Sequence, residues 1–285
     1  MVSVHRNRFR FQRGKGLCVQ LGRVGVFKFV YLPSLILGLW ILLKVASVSP
    51  QVTSLTGARA APLDLGVLYI NREERSDRRR GIEAELVRAK LVGQRVRAIE
   101  VFNDTIMLSK CWDGGSRKCA GQVGCQLSHI KAIKFAMRMG WSRLAVFEDD
   151  FRWLNHTSPS TFPSLVNWLD ETAPDWDVFA VSLNIIEQEI VWPQRRVNIG
   201  QTWSQLTRIT KALATQGYML KSHMFEHVLF AFENCDIRGD LWTAIDTCWQ
   251  PLQGSYKWYG LQPQLGTQAA DFSDIESQSV SYGIT

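Results

Sequence analysis

The stretch Arg143-Leu-Ala-Val-Phe-Glu-Asp-Asp150 joins a short apolar run directly to three acidic residues. A run of this length and composition is typical of a strand that is buried in a sheet. Ligands of open α/β sheets bind beyond the carboxyl ends of the strands, so Glu148, Asp149 and Asp150 are the first candidate functional residues. Adjacent carboxylates repel one another, and a bound cation relieves that repulsion. The stretch therefore predicts a cation site at a strand end, with a solvated acidic turn or a helix N-cap as the alternative.

A second strand end with polar side chains is predicted closer to the N-terminus. Residues 65–70 form an apolar run rich in strand-forming residues, and the charged segment 71–80 follows directly. Apolar residues between Ile82 and Ala89 then recur at helical spacing, and residues 96–102 predict the next strand. The folded part of the chain is therefore expected to open as strand, helix and strand.

An amphipathic helix is predicted over residues 123–139, immediately before the acidic strand. Apolar residues recur on one face at helical spacing, and three basic residues share the opposite face. Gly140 is well placed to end this helix, because glycine readily adopts the left-handed conformation of a C-terminal cap. Residues 103–122, which contain several glycines and two cysteines, predict a long loop before the helix.

The remainder of the chain continues the alternation of strands and helices. Strands are predicted at 176–182 and 215–220, helices at 222–232 and 240–250, and a final extended segment at 256–264. Strands that alternate with helices predict an α/β layer fold with a mostly parallel sheet.

The positive charge of the chain is concentrated at its N-terminus. The formal net charge is +7, but residues 1–28 hold seven of the 33 Lys and Arg residues and no acidic residue. The remaining 26 basic residues are balanced by 26 acidic ones. Because the excess charge belongs to a tail and not to a folded surface, nucleic-acid binding loses its main support.

An apolar segment of membrane-spanning length follows this tail. Residues 29–48 are long enough for a helix to cross the hydrocarbon core of a bilayer, and Lys44 lies close enough to the end to extend its amine to the interface. The basic residues before the segment predict a single-pass type II signal anchor, with residues 1–28 as a cytoplasmic tail. Residues 49–63 then predict a short stem without regular structure, and 64–285 a lumenal catalytic domain. The alternative is a cleaved signal peptide, although 28 residues before the apolar run are unusually many.

The lumenal assignment gives the cysteines an oxidising compartment. Cys111 with Cys119, and Cys235 with Cys248, are the pairs that close short loops, which leaves Cys125 as a buried free thiol. A zinc site is the alternative, but the chain has no Cys-x-x-Cys pair to favour it.

Two Asn-x-Thr sequons, at Asn103 and Asn155, also suit a lumenal domain. Asn155 lies five residues after Asp150, where a glycan could crowd the predicted site. Asn103 is therefore the preferred acceptor.

Five short motifs, taken in order, resemble the successive signatures of glycosyltransferase family 25. They are Ile70-Asn71 with Asp77-Arg78-Arg79, Gly124-Cys-Gln-Leu-Ser-His-Ile-Lys-Ala132, Phe147-Glu-Asp-Asp-Phe151, Gln216-Gly-Tyr218 and Ile245-Asp246. The family includes bacterial lipopolysaccharide galactosyltransferases and procollagen galactosyltransferases. The resemblance covers roughly residues 65 to 270, and the second motif is the most diagnostic.

The resemblance implies a glycosyltransferase A fold, which is Rossmann-like, a nucleotide-sugar donor, usually UDP-galactose, and inversion at the sugar carbon. The predicted signal anchor and the two sequons place such an enzyme in the Golgi or endoplasmic reticulum membrane. One departure concerns the first strand, which the family commonly continues as Asn-Leu-acid-Arg. Here Asn71 is followed by Arg72-Glu-Glu-Arg75, so the basic residue is displaced by about one position relative to the family pattern. The contact of Arg75 with the nucleotide is therefore in question.

The chemistry of glycosyl transfer assigns roles to the residues of these motifs. Mn²⁺ or Mg²⁺ suits carboxylate oxygens and stabilises the charge of a leaving diphosphate, so Asp149 and Asp150 are the predicted metal ligands. Asp246 is the candidate general base for the acceptor hydroxyl, with a surface helix acid as the alternative. The predicted donor-binding residues are Asn71, Arg75, Asp77, Arg78, Ser128, His129 and Glu148. For His129 the alternative is a hydrogen-bonded core histidine.

The predicted function is transfer of a sugar, most simply galactose, to a hydroxyl of a glycan, glycoprotein or glycolipid. Two alternatives come from other classes. A catalytically silent binding protein of the secretory pathway would have no need of Asp149 and Asp150. A membrane-anchored zinc peptidase would use the His-x-x-Glu-His motif of His223, Glu226 and His227, which lacks an evident third ligand.

Overall fold

A computed structural model describes residues 51–54, 64–101, 111, 116–237, 244–273 and 278–280. The predicted tail, the predicted anchor at 29–48 and Asn103 lie outside these ranges. Within them, no helix combines the length and the apolar character that membrane crossing requires.

The described elements comprise strands, helices and two short 3₁₀ segments. The strands are β1 Gln51–Ser54, β2 Gly66–Asn71, β3 Gln94–Arg97, β4 Arg143–Glu148, β5 Phe151–Trp153, β6 Val178–Ile190, β7 Arg195–Asn198, β8 Trp203–Lys221, β9 Trp258–Gln262, β10 Gly266–Gln268, β11 Asp271–Ser273 and β12 Gln278–Val280. The helices are α1 Ser76–Arg88, α2 Arg117–Met139, α3 Phe162–Thr172, α4 Phe225–Glu233, α5 Ile245–Cys248 and α6 Gln250–Ser255. The 3₁₀ segments are Pro159–Thr161 and Ser222–Met224.

The main sheet is mixed. Six of its strands follow the order β1-β7-β8-β4-β2-β3, and β6 and β9 also pair with β8. β2 runs parallel to β3 and β4, whereas β8 runs antiparallel to β4, β6, β7 and β9. The prediction of a mostly parallel sheet is therefore wrong. Its physical reason is that β6, β7 and β8 follow one another through short connections, which leave no room for the crossover helix that a parallel pair needs.

The strand-helix-strand opening is confirmed, and it brings the two polar strand ends together. β2 and β4 pair in parallel with Ile70 opposite Glu148, so both strands end at the same edge of the sheet. The next strand, β3, begins and ends earlier than the predicted residues 96–102. It is short and has one buried residue, Val96, so it carries little periodic signal.

The long helix α2 starts within the predicted loop. Ser116 caps it by accepting a hydrogen bond of 3.2 Å from the Cys119 backbone N–H. Its first turns contain glycine and cysteine, which obscured the helical pattern, and a disulfide from Cys119 to Cys111 holds them. The predicted end is confirmed, since Gly140 adopts the left-handed conformation with φ of 65°.

An irregular segment interrupts the pairing of β6 and β8. Ser182 lies opposite Gly217 and Asn184 lies opposite Leu213, so residues 214–216 of β8 face a single residue of β6. Ala214 has a φ of 68°, a left-handed conformation that is costly for a residue with a Cβ. Bulges of this kind occur beside active sites, where they redirect side chains. We refer to residues 214–216 as the β8 bulge.

The predicted stem contains a strand. β1, at residues 51–54, pairs in parallel with β7, so the prediction of no regular structure is wrong for these four residues. The pairing partner lies about 140 residues further along the chain, beyond the reach of a local pattern.

Both predicted disulfides are confirmed. Cys111 is bonded to Cys119 and Cys235 to Cys248, and Cys125 is the free cysteine among the described residues. The second bond joins α5 to the end of α4.

Apolar side chains cover both faces of the sheet. Along β4, Ala145 and Phe147 point into one apolar cluster while Leu144 and Val146 point into the other. All four are fully buried. This alternation explains why the strand reads as a continuous apolar run, and it holds the acidic end of β4 in place from both sides.

Gly266 allows β10 to approach the aromatic cluster below the acidic edge. A Cβ at this position would lie 2.2 Å from Cε2 of Phe151, a fully buried ring. We expect Gly266→Ala to lower the free energy of unfolding by about 1–3 kcal/mol, because a packed core absorbs added volume only by strain. Gly254→Ala is the control, since a Cβ there meets no atom within 4 Å and alanine favours the helix. Denaturant unfolding of both variants measures the difference, and equal stabilities would contradict the predicted steric conflict.

Candidate active site

Arg78 bridges the two aspartates at the end of β4. Its Nη1 donates to Asp149 Oδ1 at 3.2 Å and to Asp150 Oδ2 at 3.3 Å, and all three side chains are largely buried. Burial alone would lower the pKa of Arg78, but the charges of Asp150 and Asp149 outweigh it and raise the pKa. The guanidinium therefore stays charged and partly neutralises the acidic strand end.

Asn71, at the end of β2, donates a second side-chain hydrogen bond to Asp149. Its Nδ2 donates to Asp149 Oδ2 at 2.8 Å and to the Arg75 carbonyl at 3.0 Å. Burial raises the pKa of Asp149, although the bonds from Asn71 and Arg78 oppose the shift. The side chains at the ends of β2 and β4 are thus in direct contact.

Asp150 is the most perturbed carboxyl of this group. Burial, followed by the negative charge of Glu148, raises its pKa to about 7, while Arg78 opposes the shift. Gln268 donates to Oδ2 at 2.9 Å, but Oδ1 is buried without a hydrogen-bond partner. A buried carboxylate oxygen that lacks a partner is the kind of atom that a ligand or cation satisfies.

Glu148 faces the opposite side of the strand end. Thr215 in the β8 bulge donates to Oε1 at 2.7 Å, and His129 Nε2 lies 3.4 Å from the same oxygen. Burial disfavours its charged form, but the interactions with His129 and Thr215 outweigh this and lower the pKa of Glu148. Glu148 is therefore the carboxylate held ionised, in contrast to Asp150.

His129 lies in the core, on the face of α2 that packs against the sheet. It is fully buried, and its Nδ1 lies 2.9 Å from the Tyr218 hydroxyl. His129 therefore matches the alternative of a hydrogen-bonded core histidine better than it matches a residue in direct contact with the nucleotide-sugar donor.

Asp246, at the start of α5, accepts a hydrogen bond of 2.9 Å from the Ala214 backbone N–H. Thr215, the next residue of the β8 bulge, holds Glu148, so one irregular segment links Asp246 to the acidic edge. Burial raises the pKa of Asp246, and the charge of Glu148 acts in the same direction. The site is thus close to Asp246, and the alternative of an isolated surface acid does not match this environment.

The other three predicted donor-binding residues, Arg75, Asp77 and Ser128, make hydrogen bonds away from the two aspartates. Arg75 donates two hydrogen bonds to the exposed Asp77, at 3.2 and 3.0 Å, and this pairing lowers the pKa of Asp77 to about 2. Ser128 is turned to the backbone, since its hydroxyl donates to the Gly124 carbonyl and accepts from the Ile99 N–H. Among these three residues, Ser128 is occupied by structural hydrogen bonds, while Arg75 and Asp77 pair with each other near the first turn of α1.

Three residues of the site were not predicted from the sequence. Gln268 comes from β10 and reaches Asp150, and Thr215 and Tyr218 reach Glu148 and His129 from β8. Thr215 and Tyr218 flank or belong to the motif at 216–218, which offered a signal. Gln268 lies in a short polar strand and offered none.

The residues at the acidic edge fit a hard divalent cation. Asp150 Oδ1 is a free carboxylate oxygen, and the oxygens of Asp149 each accept one hydrogen bond and retain a second lone pair. Mg²⁺ and Mn²⁺ prefer carboxylate oxygens and usually take one or two of them together with phosphate and water. The finding that Arg78 already supplies positive charge removes the argument that three adjacent acids require a metal by themselves.

The His-x-x-Glu-His motif does not form a ligand set. His223 Nε2 lies 2.6 Å from Asp177 Oδ1, and His227 packs against the ring of Tyr256. In the part of the chain that the structure covers, the residues whose ligand atoms converge are Cys125, His129 and Glu148. The zinc-peptidase alternative therefore loses its structural basis.

The acidic strand edge that Arg78 bridges lies at the carboxyl ends of β2 and β4, where open α/β sheets bind their ligands. The sequence profile of glycosyltransferase family 25 (LPS biosynthesis protein) matches residues 65–249, which is more than half of the chain. The chain therefore belongs to glycosyltransferase family 25. A comparison with curated proteins gave no significant match.

A comparison with solved structures gives matches at low sequence identity and low TM-score. A197 from STIV is 11% identical, with a TM-score of 0.34 over 68% of this chain and 80% of its own. A glycosyltransferase involved in the glycosylation of the major capsid of PBCV-1 is 7% identical, with a TM-score of 0.32 over 59% of this chain and 65% of its own. A UDP-glucose pyrophosphorylase complexed with UDP-glucose is 10% identical, with a TM-score of 0.35 over 72% and 74%. The family assignment rests on the sequence match alone.

Proposed function

We propose that this glycosyltransferase moves galactose from UDP-galactose to a hydroxyl of a glycan, glycoprotein or glycolipid, with inversion at the sugar carbon. The observation that carries the proposal is the convergence of Asn71, Arg78, Asp149 and Asp150 at one carboxyl edge of the sheet. This cluster contains the positively charged guanidinium of Arg78 and carboxylate oxygens that can still bind a cation. A nucleoside diphosphate and its counter-ion require both features.

In this proposal the donor diphosphate lies beyond the ends of β2 and β4. Asp149 and Asp150 would hold Mn²⁺ or Mg²⁺, which when bound stabilises the negative charge of the leaving diphosphate. Arg78 fixes the two carboxylates in place through its bonds to both. Asn71 orients Asp149 and ties it to the backbone at Arg75.

Asp246 accepts the proton of the acceptor hydroxyl in the proposed mechanism. A general base works best when its pKa lies near the operating pH, and burial shifts the pKa of Asp246 upward in that direction. The Ala214 N–H donates to Oδ2 at 2.9 Å and so orients the carboxyl from the β8 bulge. An inverting transfer needs one such base on the face opposite the leaving group, so a single residue suffices.

A donor panel tests the function directly. The full-length chain is incubated with UDP-galactose, UDP-glucose and other nucleotide sugars, and nucleotide release is measured with Mn²⁺ and with excess chelator. We expect UDP-galactose to be used fastest and the chelator to suppress release, and Asp150→Ala to do the same. Asp175→Ala is the control, because Asp175 is exposed and lies outside the site.

The outcomes separate the parts of the proposal. Absence of donor turnover in a folded protein that still binds donor would identify the silent binding protein. Turnover that is unaffected by chelator would remove the metal and leave the transferase. Preference for another donor would replace galactose.

We further propose that residues 29–48 anchor the chain in the Golgi or endoplasmic reticulum membrane, with residues 49–285 in the lumen. The basic tail, the apolar segment and two disulfides support this topology. Glycosidase treatment of the expressed chain should increase its mobility, and Asn103→Gln should remove more of that shift than Asn155→Gln. An unglycosylated chain whose catalytic part is digested by protease from the cytoplasmic side would reverse the orientation.

A further inference from the structure

Cys125, His129 and Glu148 form a group of potential metal ligands beside the acidic edge. Their ligand atoms all lie within 4.8 Å of one another. Cys125 and His129 are four residues apart on α2, so they share one face of the helix, and Glu148 comes from the end of β4. A thiol, an imidazole and a carboxylate together are the donor set of a borderline-soft divalent cation such as zinc.

The geometry around His129 supports this reading. Its Nε2 is fully buried and has no hydrogen-bond partner, and it lies 3.4 Å from Glu148 Oε1. Zinc bonds to nitrogen and oxygen of about 2.0–2.2 Å, set at tetrahedral angles, place those two atoms about 3.4 Å apart. The pair is therefore already spaced as two ligands of one ion, and a small movement of the Cys125 side chain supplies the third.

The surroundings of the group match a metal site. Tyr218 occupies His129 Nδ1, and a hydrogen bond on the second imidazole nitrogen is what orients a metal-bound histidine. Cys125 and Glu148 are partly exposed, which gives an ion a path of entry. A divalent ion would balance one thiolate and one carboxylate.

We propose that Cys125, His129 and Glu148 bind a zinc-class divalent cation that fastens α2 to the end of β4. The fourth ligand is a water. This site is distinct from the one proposed for the donor metal, because it uses a thiolate and an imidazole and needs neither Asp149 nor Asp150. Its role is to fix the acidic strand end from the side opposite Arg78.

Cobalt substitution of the full-length chain tests the site. Removal of bound metal followed by titration with Co²⁺ should give one equivalent of a thiolate-to-cobalt charge-transfer band in the near ultraviolet, and Zn²⁺ should abolish it. Cys125→Ser should eliminate the band, and Tyr218→Phe should weaken Co²⁺ binding about 10- to 100-fold, as loss of an outer hydrogen bond does. Asp149→Ala is the matched control and should keep the band, which makes the result independent of donor binding and turnover.

A second measurement needs no variant. Zn²⁺ should protect Cys125 of the wild-type chain from alkylation, read by mass spectrometry of the peptide that contains it. A folded wild-type chain with no charge-transfer band and no protection would overturn the proposal. So would a band that persists in Cys125→Ser.

Discussion

Asp246→Asn is expected to lower kcat by about 100- to 10,000-fold while donor affinity changes little, because a general base contributes in the transition state and not to donor binding. Asparagine has nearly the same shape and can still accept the hydrogen bond from the Ala214 N–H, so the β8 bulge is expected to keep its conformation. Steady-state transfer kinetics and donor binding by calorimetry measure the two quantities separately.

The control for Asp246 is Asp175→Asn, which makes the same chemical change at an exposed position outside the site. It should keep wild-type kcat. If Asp246→Asn turns over at the rate of this control, Asp246 is a structural residue and the base must be sought elsewhere. A loss of donor affinity equal to the loss of kcat would instead indicate a binding role.

Arg78→Met is expected to destabilise the protein by up to about 3–5 kcal/mol above neutral pH, because it leaves two buried carboxylates without their cation. The direction of the pH dependence follows from the pKa values of Asp149 and Asp150. Arg78 lowers the pKa of both Asp149 and Asp150, so its removal raises them further. At pH values below the pKa values of the two carboxyls, both groups are protonated and the loss is small. From about pH 7 Asp150 ionises in the wild type but stays protonated in the variant, so the loss grows from that pH upward until the variant's own, higher pKa is passed.

Arg79→Met provides the matched control for Arg78. Arg79 is exposed and bonds to Glu83 at 2.9 Å, and such a surface pair within one helix contributes little to stability. Denaturant unfolding of both variants from pH 4 to pH 8 gives the comparison. A pH-independent loss for Arg78→Met would show that packing of its side chain, and not its charge, stabilises the site.

The sequence predicted the local parts of this fold. β4 and its acidic end were recognised because a strand buried on both faces reads as a continuous apolar run. The sheet as a whole was predicted incorrectly because the direction of β8 depends on partners far away in the sequence. The exposed half of β6, near Glu187 and Glu189, has apolar and polar residues that do not alternate regularly, and it was missed for the same reason.

The candidate site was predictable where its residues lie at strand ends within recognisable motifs. Asn71, Arg78, Asp149 and Asp150 were all named, and the structure brings them into contact. The partners that come from β8 and β10 could not be derived, because a threonine in a bulge or a glutamine in a three-residue strand has no periodic pattern. Tertiary pairing alone gives these residues their neighbours.

The order in which the chain is made has a consequence for this site. Asp150 receives a hydrogen bond from the side chain of Gln268, and its carbonyl receives one from the Ala269 N–H. A chain synthesised from its N-terminus exposes Arg78 and both aspartates long before these last partners leave the ribosome. Asp150 therefore gains these two hydrogen bonds only after β10 has been synthesised, and a chain that ends before β10 carries every acidic residue of the site without the strand that closes it.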